Sequence, residues 1–232
     1  MRTIILLFLY GTLAVLLLPV LLVCYLGGWR QPLVSIGKWA ISVGRRILGI
    51  QIEVSGVERI IKRRAYVFMA NHLSLLDGPL LFWLIPQSIS VILKKEIFRI
   101  PIVGQGMKQA GFIPVDRKRM KGGKKSIEEA IRLIKEKDLS FLIFPEGTRS
   151  RDGKLQPFKR GGFFLALSSQ SPIVPISIRG TYELMPRGSF FARRGKISVL
   201  FHAPQPASGY NPQTMPQLIE RIRNTIWAGI EG

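Results

Sequence analysis

The stretch AYVFMANHLSLLDGPLLFWLI, residues 65–85, decides the fold class. Its first six residues form a short apolar run that reads as a strand, the next seven carry the polar residues of a turn, and residues 75–85 read as an apolar helix. Outward from this unit the same alternation repeats. Strands are expected at 51–54, 90–93, 112–115, 140–144, 174–178 and 196–201, and helices at 102–110, 122–137, 161–169 and 214–229. Such alternation predicts an α/β architecture with a mixed, largely parallel central sheet flanked by helices. Ligands of these sheets sit at the carboxyl ends of strands, so the polar residues that follow each strand are the candidates for chemistry.

Composition narrows the classes further. Of 232 residues 47% are apolar and 21% charged, which fits one domain with a sizeable core and excludes a disordered or fibrous chain. Lys and Arg number 34 against 14 Asp and Glu, a net charge of +20. Anionic surroundings follow: nucleic acid, lipid headgroups, phosphorylated substrates or an acidic protein. Cys24 is the only cysteine, so no intrachain disulfide and no Cys-based zinc site can form, and it reads as apolar filler.

Residues 3–29, TIILLFLYGTLAVLLLPVLLVCYLGGW, carry no charge. As one helix they would extend about 40 Å, more than the roughly 30 Å of a bilayer's hydrocarbon core. Pro19 is expected to kink the segment, Gly27, Gly28 and Pro32 to end it, and residues 33–48 to form a basic amphipathic helix bearing Lys38, Arg45 and Arg46. Residues 1–48 are therefore expected to form a membrane anchor and residues 49–232 the α/β domain. The anchor is either one spanning helix or a two-helix hairpin that dips into one leaflet. Only Arg2 precedes the apolar run while many Lys and Arg follow it, which places the domain on the cytoplasmic face, at the inner membrane in a bacterium.

Three strand ends carry candidate chemistry. After residues 65–70 come His72 and, five positions on, Asp77; an imidazole whose second nitrogen meets a carboxylate is a general base with a fixed tautomer. The same residues also suit a variant capping box, with Ser74 as N-cap and His72 as a hydrogen-bonded turn residue. After residues 140–144 come Pro145, Glu146, Gly147, Thr148, Arg149 and Ser150, where a guanidinium fork matched to phosphate oxygens stands among carboxylate and hydroxyl groups. A polar turn with a local Glu146–Arg149 ion pair is the plainer alternative. After residues 112–115 comes Arg117, at the head of a basic run through Lys125 that suits a solvated face or a membrane-contacting patch. Arg117 itself stands at the strand end, where it can help clamp a phosphate.

Taken in order, NHLSLLD (71–77), GFIPVDR (111–117), FPEGTRS (144–150) and VPISIRG (174–180) resemble the four sequence blocks of the glycerolipid acyltransferases typified by 1-acylglycerol-3-phosphate acyltransferase. The resemblance implies transfer of a fatty acyl group from a thioester, acyl-ACP or acyl-CoA, to the sn-2 hydroxyl of lysophosphatidic acid, giving phosphatidic acid. It implies His72 as general base and Asp77 as its orienting partner. Arg117, Glu146, Gly147, Thr148 and Arg149 become the residues that hold the acceptor's glycerol phosphate, and Pro175 falls in the block associated with acyl binding. No cofactor or metal is implied, because a thioester is already an activated acyl group. The partners implied are membrane lipids and acyl carrier protein or coenzyme A; read from their charge alone, Lys94, Lys95, Lys118, Arg119, Arg193 and Arg194 form a basic rim suited to anionic lipid or the donor, or serve only topology and solubility.

Other readings of the same residues are a lipid ester hydrolase with water as acceptor, a different lysolipid acceptor, and an acyl-enzyme on Ser74. A membrane-tethered nucleic-acid binder would need exposed aromatics interleaved with basic residues, whereas the aromatics here lie mainly within apolar runs, so no nucleic-acid partner is expected.

Overall fold

The computed structural model describes residues 2–100, 103–115 and 120–232. Among these residues seven strands form one sheet: β1 (Ile50–Ser55), β2 (Val67–Ala70), β3 (Ile89–Lys94), β4 (Ile113–Val115), β5 (Ser140–Ile143), β6 (Ile173–Arg179) and β7 (Gly195–Phe201), in the order β1-β7-β6-β2-β5-β3-β4. Only the β6–β7 junction is antiparallel. The mixed, largely parallel sheet is thus present, and each of the seven strands lies within three residues of where the sequence puts it. Because β2, β5, β3 and β4 run the same way, the segments that follow them leave from one edge of the sheet.

Helices cover both faces. Ahead of the sheet are α1 (Arg2–Leu16), α2 (Leu18–Leu26) and α3 (Arg30–Leu48); within it are α4 (Asp77–Leu84), α5 (Val103–Gln109), α6 (Met120–Lys137), α7 (Arg160–Ser169), α8 (Thr181–Leu184) and α9 (Met215–Glu231). One apolar cluster joins Leu6 and Leu48 to Phe68, Leu81, Ile176 and Phe201; a second, on the opposite face, joins Met69, Ala130 and Phe163 to Ile222 and Ile226 of α9. Both faces of β2 are fully buried, as a central parallel strand requires.

The N-terminal segment differs from a single 27-residue rod. It breaks at Leu17, two residues before Pro19, whose ring excludes the carbonyl four residues earlier from its usual hydrogen bond. Among the described residues no single helix is long and apolar enough to cross a membrane; Arg2–Leu13 and Leu18–Cys24 pass that test only as a pair bent by 53°. Pro32 does not end a helix but lies in the first turn of α3, where its missing N–H has no intrahelical partner to lose. α3 then runs back along α1. Arg2 Nη1 donates to the Leu48 carbonyl at 3.4 Å, Tyr10 Oη to Ala40 at 2.7 Å, and the Ala192 N–H to Thr3 Oγ1 at 3.3 Å, so both ends of the hairpin rest on the α/β body.

Candidate active site

The β2 strand ends at Ala70 because Asn71 takes over its pairing. The Asn71 amide donates to the Ile178 carbonyl at 2.9 Å and accepts the Ile178 N–H at 2.8 Å, so a side chain replaces the ladder while the main chain turns out of the sheet. His72 follows at once. Its Nδ1 lies 2.9 Å from Asp77 Oδ2, and the same oxygen accepts the N–H groups of Leu73 and Ser74, each at 2.7 Å. Asp77 is fully buried. A carboxylate oxygen receiving three hydrogen bonds only accepts, so Nδ1 carries a proton and Nε2 is the nitrogen that bears the lone pair in the neutral ring. The imidazole stacks on Phe144, with ring centroids 4.1 Å apart and planes at 18°, which fixes the remaining rotation of the ring. Its side chain keeps 21% of its surface exposed.

The β5 strand ends beside β2 and delivers FPEGTRS to the same edge. Gly147 adopts φ +73°, closing a turn in which its N–H donates to the Phe144 carbonyl at 3.0 Å; a non-glycine residue would be strained there. Ser150 N–H donates to the His72 carbonyl at 2.8 Å, which joins the two loops. Glu146 departs from the sequence expectation. Its carboxylate is buried and faces the protein: Oε1 accepts the His72 N–H at 2.6 Å and Oε2 the Gln156 N–H at 2.9 Å, rather than lining the cleft. Desolvation pushes its pKa up to about 7 against the pull of those two N–H groups. The local Glu146–Arg149 ion pair is likewise not formed, because the turn sends Glu146 inward and leaves Arg149 half-buried at the cleft.

Comparison with known proteins bears on a site now defined by geometry. The family described as Acyltransferase matches residues 51–179, which include both loops. A 1-acyl-sn-glycerol-3-phosphate acyltransferase from Limnanthes douglasii is 37% identical over 84% of this chain and 67% of its own length. The Homo sapiens 1-acyl-sn-glycerol-3-phosphate acyltransferase alpha is 31% identical over 92% of this chain and 75% of its own. This chain belongs to the 1-acyl-sn-glycerol-3-phosphate acyltransferase family. The crystal structure of the 1-acyl-sn-glycerophosphate (LPA) acyltransferase PlsC from Thermotoga maritima superposes with a TM-score of 0.84 at 26% identity, covering 99% of this chain and 94% of that one.

Within this family member, the remaining candidates sort by position. Thr148 and Arg149 line an open cleft of about 400 Å³ with Arg151, Asp152, Gln156 and Arg187. Arg117, with Lys118 and Arg119, lies outside the described residues; β4 ends at Val115 on the shared edge, three strands from β2. Ser74 is not an N-cap, since α4 begins at Asp77 behind Leu76. Its hydroxyl is fully buried and donates to the Met185 carbonyl at 2.7 Å, which removes it as a nucleophile. Pro175 is buried within β6, opposite Met69. His202 Nε2 lies 2.8 Å from Ser177 Oγ, whose single proton goes to the Ile226 carbonyl at 2.8 Å, so the imidazole donates and has no free lone pair at Nε2. Burial, then the charge of Arg59, lowers the pKa of His202. Phe144 and Gln156 are the site residues that sequence reasoning missed; Phe144 stands in a quoted motif, but nothing in a single sequence marks it as a stacking partner.

Proposed function

We propose that this chain transfers a fatty acyl group from an acyl thioester to the sn-2 hydroxyl of 1-acylglycerol-3-phosphate, forming phosphatidic acid. The observation that carries the mechanism is the Nδ1 bond of part-exposed His72 to buried Asp77, which fixes the ring so that Nε2 is the nitrogen available to act as base. The acceptor hydroxyl gives its proton to Nε2 as its oxygen attacks the thioester carbonyl. The tetrahedral oxyanion collapses, the C–S bond breaks, and the imidazolium returns the proton to the departing thiolate. Asp77 stabilises the imidazolium between the two steps. General base catalysis contributes about 10²–10⁴-fold, and orientation of the acceptor on Arg149 and Thr148 adds to it.

The α1–α3 hairpin serves as the membrane anchor in this reading, entering one leaflet and returning. Support comes from Arg2, which sits against Leu48 at the foot of the hairpin rather than across a bilayer from it, and from the exposed apolar surface of Leu7, Phe8, Val15, Leu16 and Leu26. The α/β body and its basic residues then face the cytoplasmic leaflet.

The test is an assay of the purified enzyme with labelled acyl thioester, as both acyl-carrier-protein and coenzyme A forms, across a panel of lysolipids. Labelled phosphatidic acid is the expected product, and His72→Ala is expected to abolish it in a folded protein. Free fatty acid as the main product would replace transfer by hydrolysis; preference for another lysolipid would change the acceptor.

A further inference from the structure

The structure assigns a phosphate-binding role to Arg187, a residue outside all four motif blocks. This inference rests on the acyltransferase reading for the identity of the ligand, not for the existence of the site. Arg187 lies on the loop after α8, and its Nη1 reaches across to the Arg149 carbonyl at 3.0 Å. Tyr182 Oη, from the same segment, donates to the Arg151 carbonyl at 2.9 Å. One side chain from α8 and one from the loop after it therefore fasten the Arg149–Arg151 segment, and the Met185 carbonyl bonded to Ser74 fastens the loop after α8 to the His72 turn.

The cleft so formed is lined by Arg149, Arg151 and Arg187, and Asp152 is the one acidic residue among its lining. That carboxylate is already engaged: its Oδ1 accepts from Ser150 Oγ at 2.9 Å and from the Lys154 N–H at 3.1 Å. Among the described residues none of the three guanidiniums pairs with an acid. Gathering like charges around a polar concavity is unfavourable until an anion fills it, and the oxygens of a phosphate suit several guanidinium forks. Arg187 spends one N–H on the Arg149 carbonyl and has four more to offer. In 1-acylglycerol-3-phosphate only two carbons and an oxygen separate the phosphorus from the reacting hydroxyl oxygen, so its grip must lie on loops that adjoin the base, as this one does. The phosphates of a coenzyme A donor share the same chemistry.

Three variants and two pairs of substrates test the assignment. Arg187→Gln keeps a donor for the Arg149 carbonyl but removes the charge, Arg187→Lys keeps the charge but loses the fork, and Arg187→Ala removes both. Loss of a charged hydrogen-bonded contact predicts a KM for the phosphorylated acceptor raised about tenfold to a hundredfold in Arg187→Gln, with kcat little changed and Arg187→Lys intermediate. With monoacylglycerol, which lacks the phosphate, wild type and Arg187→Gln are expected to match. If the KM rise instead appears for a coenzyme A thioester and vanishes with an N-acetylcysteamine thioester, the phosphate is the donor's and the role of Arg187 stands. An unchanged KM in Arg187→Gln together with a raised one in Arg187→Ala makes the residue a loop fastener and overturns the assignment, as does an equal effect with and without substrate phosphate. Should the wild type form no phosphatidic acid, the acyltransferase reading fails on its own. The Arg187 site is then judged by thermal stabilisation with glycerol 3-phosphate, expected in the wild type and lost in Arg187→Gln; stabilisation equal in both, or absent from the wild type, overturns it.

Discussion

Asp77 spends one oxygen on three donors, two of them backbone N–H groups that no substitution at position 72 can remove. Asp77→Asn is therefore expected to keep the turn but to lose the tautomer, because an amide that bonds Leu73 and Ser74 through its oxygen no longer favours the imidazolium. The expected outcome is a kcat lowered by about 10²–10⁴-fold with little change in acceptor KM, read from steady-state kinetics. Glu146 makes a different prediction, about pH. Its folded pKa, pushed up to about 7 from an ordinary 4.5, means that ionisation opposes folding. The stability associated with its neutral form is complete below about pH 4.5 and is lost as pH rises through about 7, a contribution on the order of 3 kcal/mol. Glu146→Gln should flatten that part of the stability curve in denaturant titrations run from pH 5 to about 8; an unaltered slope would clear Glu146 of the effect.

At the scale of elements, the joint between β2 and β6 is the most exacting. Asn71→Ala leaves the N–H and C=O of Ile178 without the amide that pairs with them, both buried, at a cost on the order of 3 kcal/mol measurable by chemical denaturation. Strands, their order of appearance and the turn that carries His72 and Asp77 were legible from the sequence because each depends on local patterning or short spacing. What was not legible depends on contacts between distant segments. The inward turn of Glu146 needs Gln156 and His72 on either side of it, and the stacking of Phe144 on His72 needs β2 and β5 to be neighbours. Arg187 sits in a loop with no motif, and only its reach to Arg149 reveals it. The capping-box reading held in part: Asp77 accepts the Ser74 N–H and Ser74 Oγ accepts the Leu76 N–H at 3.2 Å, but α4 starts only at Asp77, and the Ser74 proton goes to the Met185 carbonyl, more than a hundred residues away.

For the molecule as a whole, the hairpin proposed as the anchor would set topology. A tag on the N-terminus is expected to be digested from the same side of membrane vesicles as the α/β body; protection of the tag while the body is cleaved would establish a spanning helix instead. The same foot of the hairpin has a mechanical consequence. Gly49 alone separates α3 from β1, and its N–H is bonded to the Arg45 and Arg46 carbonyls, so the chain has no slack where the two parts meet. On the proposed anchoring, the enzyme is a mast with a welded base, not a buoy on a rope, and its candidate catalytic edge rides at one altitude above the lipid. A long-chain acceptor need only rise by that constant step and its product sink back by it. Splicing a short flexible spacer behind Leu48 would let the altitude wander, slowing turnover on bilayer-embedded acceptors while sparing a short-chain acceptor dissolved in water.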